Sequence, residues 1–183
     1  MKFLAGFPAV RIAQLVGIGA SGYLSGFISS CSIVGVPPLL LAPPDVATKQ
    51  WAKLYHTGAR IAPATAGVAF LAYLYLGYNS GHYISPSEGY AYLAAGTCTL
   101  AIAPYTLLTM MPTNHELEAL AESKEATVED ARVKSLLQRW WRLNLVRSLG
   151  PTTGLVLGLL ALGATSPEQR GLLALSYSPS LAL

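Results

Sequence analysis

Residues 12–44 contain no charged side chain and read IAQLVGIGASGYLSGFISSCSIVGVPPLLLAPP. A helix rises ~1.5 Å per residue, so about 20 apolar residues cross the ~30 Å hydrocarbon core of a bilayer. Three further windows without charge cover residues 61–87, 89–115 and 148–167, and each is long enough for the same crossing. The sequence therefore predicts four membrane-spanning helices.

The composition of the whole chain agrees with these windows. Of 183 residues, 52% are hydrophobic and 11% are charged, and the mean hydropathy is +0.44. A soluble domain carries about 25% charged residues, so a soluble enzyme, a nucleic-acid-binding protein and a disordered chain are all disfavoured. The lipid bilayer is the predicted environment. Cys31 and Cys98 fall in the uncharged windows without a CxxC spacing, which predicts packing residues rather than a redox pair.

The predicted fold is all-α: a four-helix transmembrane bundle that forms one integral membrane domain over residues 1–183. Proline pairs and polar turns place the spans at about residues 12–36, 58–78, 90–111 and 144–165. Pro37 is expected to end the first helix. The hydrophilic loop 112–142 is expected to contain a short amphipathic helical segment. This segment begins at a capping box, Thr113 to Glu116, and a second helix runs from about Thr127 into the fourth span.

The basic residues predict the orientation of the bundle. Eight of them flank the loops between spans one and two and between spans three and four, against three on the other side. Cytoplasmic loops carry an excess of lysine and arginine. We therefore expect these two loops in the cytosol and both termini in the lumen of an endomembrane.

Two residue patterns predict how the helices pack and where the opposite interface lies. The GxxxG pairs Gly22 with Gly26 and Gly154 with Gly158 indicate close helix packing within the bundle, with a homo-oligomer through these faces as the alternative. Tyrosine rings favour the headgroup level of a membrane, so a tyrosine-rich turn predicts an interface. Its members are Tyr73, Tyr75, Tyr78, Tyr83, Tyr90 and Tyr92.

Polar side chains collect at the span ends nearest the hydrophilic loop. His56 precedes span two and Asn114 follows span three, while the spacing Trp140, Asn144, Arg147 places those three on one stripe of a helix. An ionised arginine inside an apolar helix is costly unless it faces the bundle interior and finds a partner. The sequence therefore predicts a polar pocket at this end. Snorkelling of Arg147 to the interface and a purely interhelical role for Asn144 stay open as alternatives.

The block APYTLLTMMPTN at residues 103–114, followed by the W-x3-N-x2-R spacing from Trp140 to Arg147, resembles the small four-span membrane proteins that include the fungal anthrone oxygenases. Trp51 and Tyr55 before span two are similar to the same pattern. The resemblance covers nearly the whole chain. It implies oxidation of a polyketide-derived anthrone to an anthraquinone, with molecular oxygen as co-substrate and no added organic cofactor. The residues show no metal-binding spacing.

Such a reaction needs a base for the ring methylene proton, donors for the developing oxyanion and an apolar slot for a flat tricycle. Neutral imidazole accepts a proton near neutral pH, so His56 is the candidate base. The candidate hydrogen-bond donors to the oxyanion are Arg147, Asn144 and Asn114. Together with His56 they form the candidate catalytic set. The candidate substrate-binding residues offer aromatic walls and are Trp51, Tyr55 and Trp140.

Two functions of other classes remain open at this point. The chain can be a non-catalytic four-helix membrane scaffold or partner protein, which turnover of an anthrone by the purified protein excludes. It can also be a haem or copper membrane oxidoreductase that uses His56 and His115. Metal analysis and a visible spectrum distinguish that alternative.

Overall fold

The computed structural model describes residues 2–83, 85–123 and 129–164, and within these ranges it contains helices and no β-strand. Four helical stretches are long and apolar enough to cross a membrane. In chain order these spans are Ala9–Leu39, Pro44–Ser80, Pro86–Glu122 and Asp130–Ala164. The predicted all-α bundle of four membrane helices is confirmed.

Two of the spans are interrupted by π-helical turns, in which the helix widens by one residue. Span one is formed by α1 (Lys2–Ser30) from Ala9 onward, a π turn (Cys31–Gly35) and α2 (Val36–Leu39). Span two is the part of α3 (Pro44–Tyr83) that ends at Ser80. Span three contains α4 (Pro86–Leu100), α5 (Ile102–Tyr105), a second π turn (Thr106–Met110) and α6 (Met111–Glu122). Span four is α7 (Asp130–Ala164).

The helices extend beyond the predicted spans at the end of the bundle that carries the hydrophilic loop, called the loop end below. Pro37 does not end the first helix, which continues to Leu39. A proline ring clashes with the carbonyl four residues earlier, and the π turn before Pro37 takes up that clash. Pro44 suits the first position of a helix, so α3 begins there rather than near residue 58. Its 40 residues span ~60 Å, about twice the hydrocarbon core.

Most of the described part of the predicted loop 112–142 is helical. α6 continues directly from the second π turn and α7 begins at Asp130. Thr113 lies inside α6 and is buried, and no side chain caps the start of this helix, so the capping-box prediction is wrong. Helical backbone begins before Thr113, so this residue is not at a helix start that needs a cap. The predicted helix start at Thr127 lies outside the described residues.

The core of the bundle lies in three layers along its axis. The layer at the loop end is the largest, and we call it the loop-end core; its buried members are Val36, Leu39, Ala47, Trp51, Met110, Leu117, Val133, Leu136, Leu137 and Trp140. A middle layer surrounds Leu24 and Ile28, and a third layer surrounds Tyr73 and Tyr92. All four spans contribute residues to the loop-end core.

Two of the six tyrosines predicted at the opposite interface are core residues instead. Tyr73 and Tyr92 are fully buried with ring centroids 6.2 Å apart. The Tyr73 hydroxyl donates to the backbone oxygen of Gly154 at 3.1 Å, and Gln14 Nε2 donates to the Tyr92 hydroxyl at 3.0 Å. The interface prediction is wrong for this pair because both rings lie on inward helix faces. Tyr75, Tyr78 and Tyr90 are exposed, and the side chain of Tyr83 lies outside the described part of the structure.

The glycine pair in span four packs against neighbouring helices, as predicted. A Cβ atom on Gly154 would meet the Thr99 side chain and would lie 2.7 Å from the Ala95 backbone oxygen. A Cβ atom on Gly158 would meet the Tyr73 ring. This GxxxG pair therefore serves packing inside the bundle. In span one, Gly22 faces the Leu155 side chain at 3.5 Å, and oligomerisation through that helix stays a prediction.

Gly154→Ala is expected to destabilise the bundle by ~1–3 kcal/mol, because the new methyl group overpacks against backbone atoms that cannot move aside. The midpoint of thermal unfolding in detergent measures the effect. Gly19 is the matched control, since no described heavy atom beyond its chain neighbours and the adjacent backbone of its own helix lies within 4 Å of its Cβ position. Gly19→Ala is expected to unfold at or above the wild-type temperature, as alanine favours helix over glycine. Equal losses in both variants would contradict the packing described here.

Candidate active site

Asn144 lies on the buried face of α7 and uses its amide inside the protein. Its Nδ2 atom donates to the backbone oxygen of Ile28 at 2.9 Å and to Ser32 Oγ at 2.8 Å. Its Oδ1 atom accepts a hydrogen bond from Arg147 Nη2 at 2.6 Å. An amide nitrogen carries two hydrogens, so these contacts use both. Asn144 therefore joins span one to span four and holds Arg147, which matches the interhelical alternative.

Arg147 is directed into the bundle toward span three. Its Nη1 atom donates to Thr106 Oγ1 at 3.1 Å, while Nη2 donates to Asn144. Its buried Nε atom has no hydrogen-bond partner. No ion pair within residues 2–83, 85–123 and 129–164 includes Arg147. A guanidinium stays protonated in proteins, and a buried charge without a counter-ion is costly. The site therefore favours an anion.

Both π turns supply oxygen atoms to this arrangement. Ser32, in the first turn, accepts from Asn144 and donates to the backbone oxygen of Trp141 at 3.2 Å. Thr106, which opens the second turn, accepts from Arg147. Single π turns inside α-helices are frequent at functional sites. Here they bring Ser32 and Thr106 to the positions that fix the arginine.

Buried polar atoms without a hydrogen-bond partner gather at the same end of the bundle. Among the described side chains these atoms are Trp51 Nε1, Trp140 Nε1, Arg147 Nε, Asn114 Oδ1 and Thr113 Oγ1. The Asn114 amide nitrogen makes a 3.9 Å contact to Met111 Sδ, and the side chain also interacts with the Tyr55 phenol. Native proteins pair about 90% or more of such groups with protein or with ordered water, so these atoms are candidates to bind the polar atoms of a ligand.

The three predicted aromatic walls form one cluster within the loop-end core. The Trp51 ring stacks on Tyr55, with centroids 5.1 Å apart and an angle of 6° between the planes. Trp140 packs edge-on against Trp51, with centroids 5.9 Å apart and an angle of 87°. Both indoles are buried, whereas Tyr55 is half-buried.

His56 lies outside the buried group, in a groove on the surface between α3 and α6. Its side chain is 58% exposed, and its Nε2 atom is 3.5 Å from Glu118 Oε1. Lys49, Ala52 and Glu122 also line the groove. In the described ranges no hydrogen bond or ion pair joins His56 to Arg147. The structure thus separates the four predicted catalytic residues into a buried set and a groove residue.

Tyr55 borders both the buried set and the groove. Its ring centroid lies 5.4 Å from that of His56. Its phenol interacts with the Asn114 amide and lies in the electrostatic field of Glu118 and of Arg147. Tyr55 is therefore the site residue that contacts His56 and also interacts with the more buried polar residues.

Sequence reasoning missed three residues that shape this site: Ser32, Thr106 and Glu118. Glu118 follows Asn114 by four positions, so helical spacing places it on the same side of α6. Thr106 lies within the block 103–114. For Ser32 no local signal exists, because its partner Asn144 is distant in the chain.

His115 is exposed on the outer face of α6. Across the part of the chain that the structure describes, no three His, Cys, Asp or Glu side chains are grouped to hold a metal ion.

The fold and the site define a class: a four-span helical membrane protein with a partly buried arginine and unpaired buried polar atoms at one end. The sequence profile of the family described as anthrone oxygenase matches residues 51–157. The chain belongs to this anthrone oxygenase family. The matched residues contain all seven candidate site residues.

Curated relatives cover most of the chain. It is 36% identical over 167 residues to an anthrone oxygenase of Claviceps purpurea (strain 20.1), covering 88% of this chain and 94% of the relative. It is 35% identical over 156 residues to the anthrone oxygenase AgnL2 of Paecilomyces divaricatus, covering 81% and 93%. A noranthrone monooxygenase of Aspergillus flavus is 28% identical over 153 residues, covering 80% and 71%. No solved structure is a significant match to the chain.

Proposed function

We propose that this chain oxidises a polyketide-derived anthrone to an anthraquinone with molecular oxygen. The observation that carries the proposal is Arg147, a partly buried cation held by Asn144 and Thr106, whose buried Nε atom is unpaired and which has no carboxylate partner in the described ranges. An anthrone becomes an anion when it loses a central-ring proton, and such an anion fits this arginine. Family membership and the names of the relatives support the same reaction.

The proposed reaction begins with removal of one proton from the central-ring methylene. The resulting anion is delocalised onto the carbonyl oxygen of the anthrone. It transfers electrons to molecular oxygen, and after protonation a hydroperoxide stands at the former methylene carbon. That carbon then loses its remaining hydrogen while the O–O bond breaks, which releases water and leaves a ketone. One oxygen atom thus enters the product, the other leaves as water, and the substrate supplies all the electrons.

Arg147 stabilises the negative charge on the substrate oxygen in this scheme. Donors aimed at the place where charge develops lower the barrier most when they are fixed beforehand. Asn144 and Thr106 fix the guanidinium through its two Nη atoms, which makes them positioning residues. Asn114 contributes a polar contact next to Tyr55. Trp51, Tyr55 and Trp140 form the aromatic wall for the flat substrate.

His56 is the proposed proton acceptor, with Glu118 orienting the imidazole. His56 lies in the groove, whereas the anthrone is proposed to bind near Arg147 inside the bundle. The methylene proton therefore has to move from the bound anthrone to the groove. Tyr55 borders both, so we assign its phenol the role of the relay. A positioned base is typically worth about 10²–10⁴-fold in rate.

We further propose that the reaction needs no organic cofactor and no metal, since the anthrone anion itself reduces oxygen. The experiment that tests the function is incubation of the detergent-solubilised full chain with an anthrone under ¹⁸O₂. Label in the new ketone, above the rate of spontaneous oxidation, supports the proposal.

Activity should persist in chelator-treated, colourless protein. Its loss on metal removal and return with one specific metal would replace the proposal with a metal oxidoreductase. An inactive, correctly folded protein would favour a scaffold.

The proposed topology places the loops between spans one and two and between spans three and four in the cytosol, with the termini in the lumen. A glycosylation acceptor inserted near residue 126 is expected to remain unmodified, whereas acceptors at either terminus are expected to be glycosylated. The reason is the excess of basic residues on the loop side. Modification of the loop acceptor together with the terminal ones would contradict four spans.

A further inference from the structure

Three of the unpaired buried atoms described above are hydrogen-bond donors: the indole nitrogens of Trp51 and Trp140 and the Nε atom of Arg147. An indole N–H can only donate, and so can a guanidinium N–H. Both indoles are 2% exposed or less, so bulk water does not reach them. A buried donor without a partner loses the hydrogen bond it makes in water. Packing alone does not explain why three such donors occur together.

The three donors belong to one connected group of side chains. Trp51 and Trp140 touch edge to face, and Trp51 stacks on Tyr55. The Tyr55 phenol in turn lies in the electrostatic field of Arg147. Trp140 and Arg147 lie on the same stripe of α7, two helical turns apart. The two indoles and the arginine therefore face the same side of α7, with Tyr55 next to Trp51.

We propose that the indole N–H groups of Trp51 and Trp140 join Arg147 Nε as donors to the oxygen of the bound anthrone, where negative charge develops. This inference rests on the proposed function and changes the role of the two tryptophans. Besides forming an aromatic wall, they donate hydrogen bonds from their indole nitrogens to the oxygen atom of the anthrone. Hydrogen bonds to a charged acceptor are stronger than neutral ones, so these donors favour the anion over the neutral substrate.

The test replaces one atom in each ring. β-(3-Benzothienyl)alanine has the shape of tryptophan but carries sulfur in place of the N–H, and it is introduced at position 51 or 140 of the full chain by codon reassignment. Under anaerobic conditions the visible absorption of the bound anthrone is titrated with pH, which reports its ionisation without turnover. Each replacement is expected to raise the pH at which the bound anthrone ionises by about 1 unit, and to lower kcat/KM by about 10-fold or more.

Trp141 provides the matched control. It follows Trp140 on the same helix and is half-buried, and its indole nitrogen is not among the unpaired buried atoms. The same replacement at position 141 is expected to leave the ionisation of the bound anthrone and kcat/KM unchanged. Thermal unfolding midpoints check that all three proteins are folded. Trp51→Phe and Trp140→Phe serve as second variants, since phenylalanine also lacks the donor.

Two negative results have different meanings. If the wild-type protein oxidises the anthrone and the variants at 51 and 140 match it in ionisation and kcat/KM, the two indoles only pack, and this inference is overturned while the proposed function stands. If the wild-type protein itself does not oxidise any anthrone, the proposed function fails and the inference falls with it.

Discussion

Arg147→Ala is expected to lower kcat for anthrone oxidation by ~10²–10³-fold, the typical effect of removing one donor from an oxyanion site. Raising the pH should not restore the rate, because hydroxide replaces a base but not a cation that stabilises the product of deprotonation. Arg147→Lys should recover only part of the rate. An ammonium lacks the planar fork that reaches Thr106 and Asn144 together. Initial rates of anthraquinone formation, corrected for spontaneous oxidation, measure these effects.

Arg142→Ala is the matched control for this arginine. Arg142 lies on the same helix five residues earlier, but its side chain is exposed. We expect wild-type kcat/KM from this variant. If Arg147→Ala lowers only the yield of folded protein, and the surviving protein has normal kcat/KM, then Arg147 is a structural anchor and the assignment of the site is wrong.

His56→Ala is expected to lower kcat by ~10²–10⁴-fold at neutral pH, the usual contribution of a positioned general base. In contrast to the arginine variant, its rate should recover partly as the pH rises, since hydroxide or spontaneous ionisation of the anthrone substitutes for the missing imidazole. Added imidazole should also restore part of the rate, because His56 faces an open groove.

Two further variants test whether the loss of rate in His56→Ala is specific to proton transfer through Tyr55 and His56. His115→Ala is the control, since His115 is exposed on the outer face of α6. We expect no change from it. Tyr55→Phe removes the hydroxyl between core and groove and is expected to lower kcat without rescue by imidazole. A wild-type pH profile from His56→Ala would place the base elsewhere in the site.

The number of spans was predictable because membrane insertion depends on a local property. A stretch of about 20 residues without charge partitions into lipid largely by its own composition. The ends of the helices were not predictable in the same way. Pro37 stops an isolated helix, but the π turn at Cys31–Gly35 accommodates it, and α3 and α6 extend beyond the predicted spans, where their residues pack in the loop-end core.

The candidate site shows the same division between local and long-range information. The stripe of Trp140, Asn144 and Arg147 follows from helical spacing along one segment, and the structure places Asn144 and Arg147 in direct contact. Spacing did not predict that Asn144 donates both of its amide hydrogens to residues of span one, or that His56 faces a groove. Those facts depend on how each helix is rotated against its neighbours.

The sequence by itself determined that this is an all-helical protein with four membrane spans, and it supplied the residues that match the anthrone oxygenase family. Only the tertiary structure decided which side chains are brought together. Asn144 meets Ser32 across 112 positions of the chain, and Trp51 meets Trp140 through the packing of α3 against α7. Hydropathy is summed over neighbours in sequence, whereas burial and hydrogen bonding depend on neighbours in space.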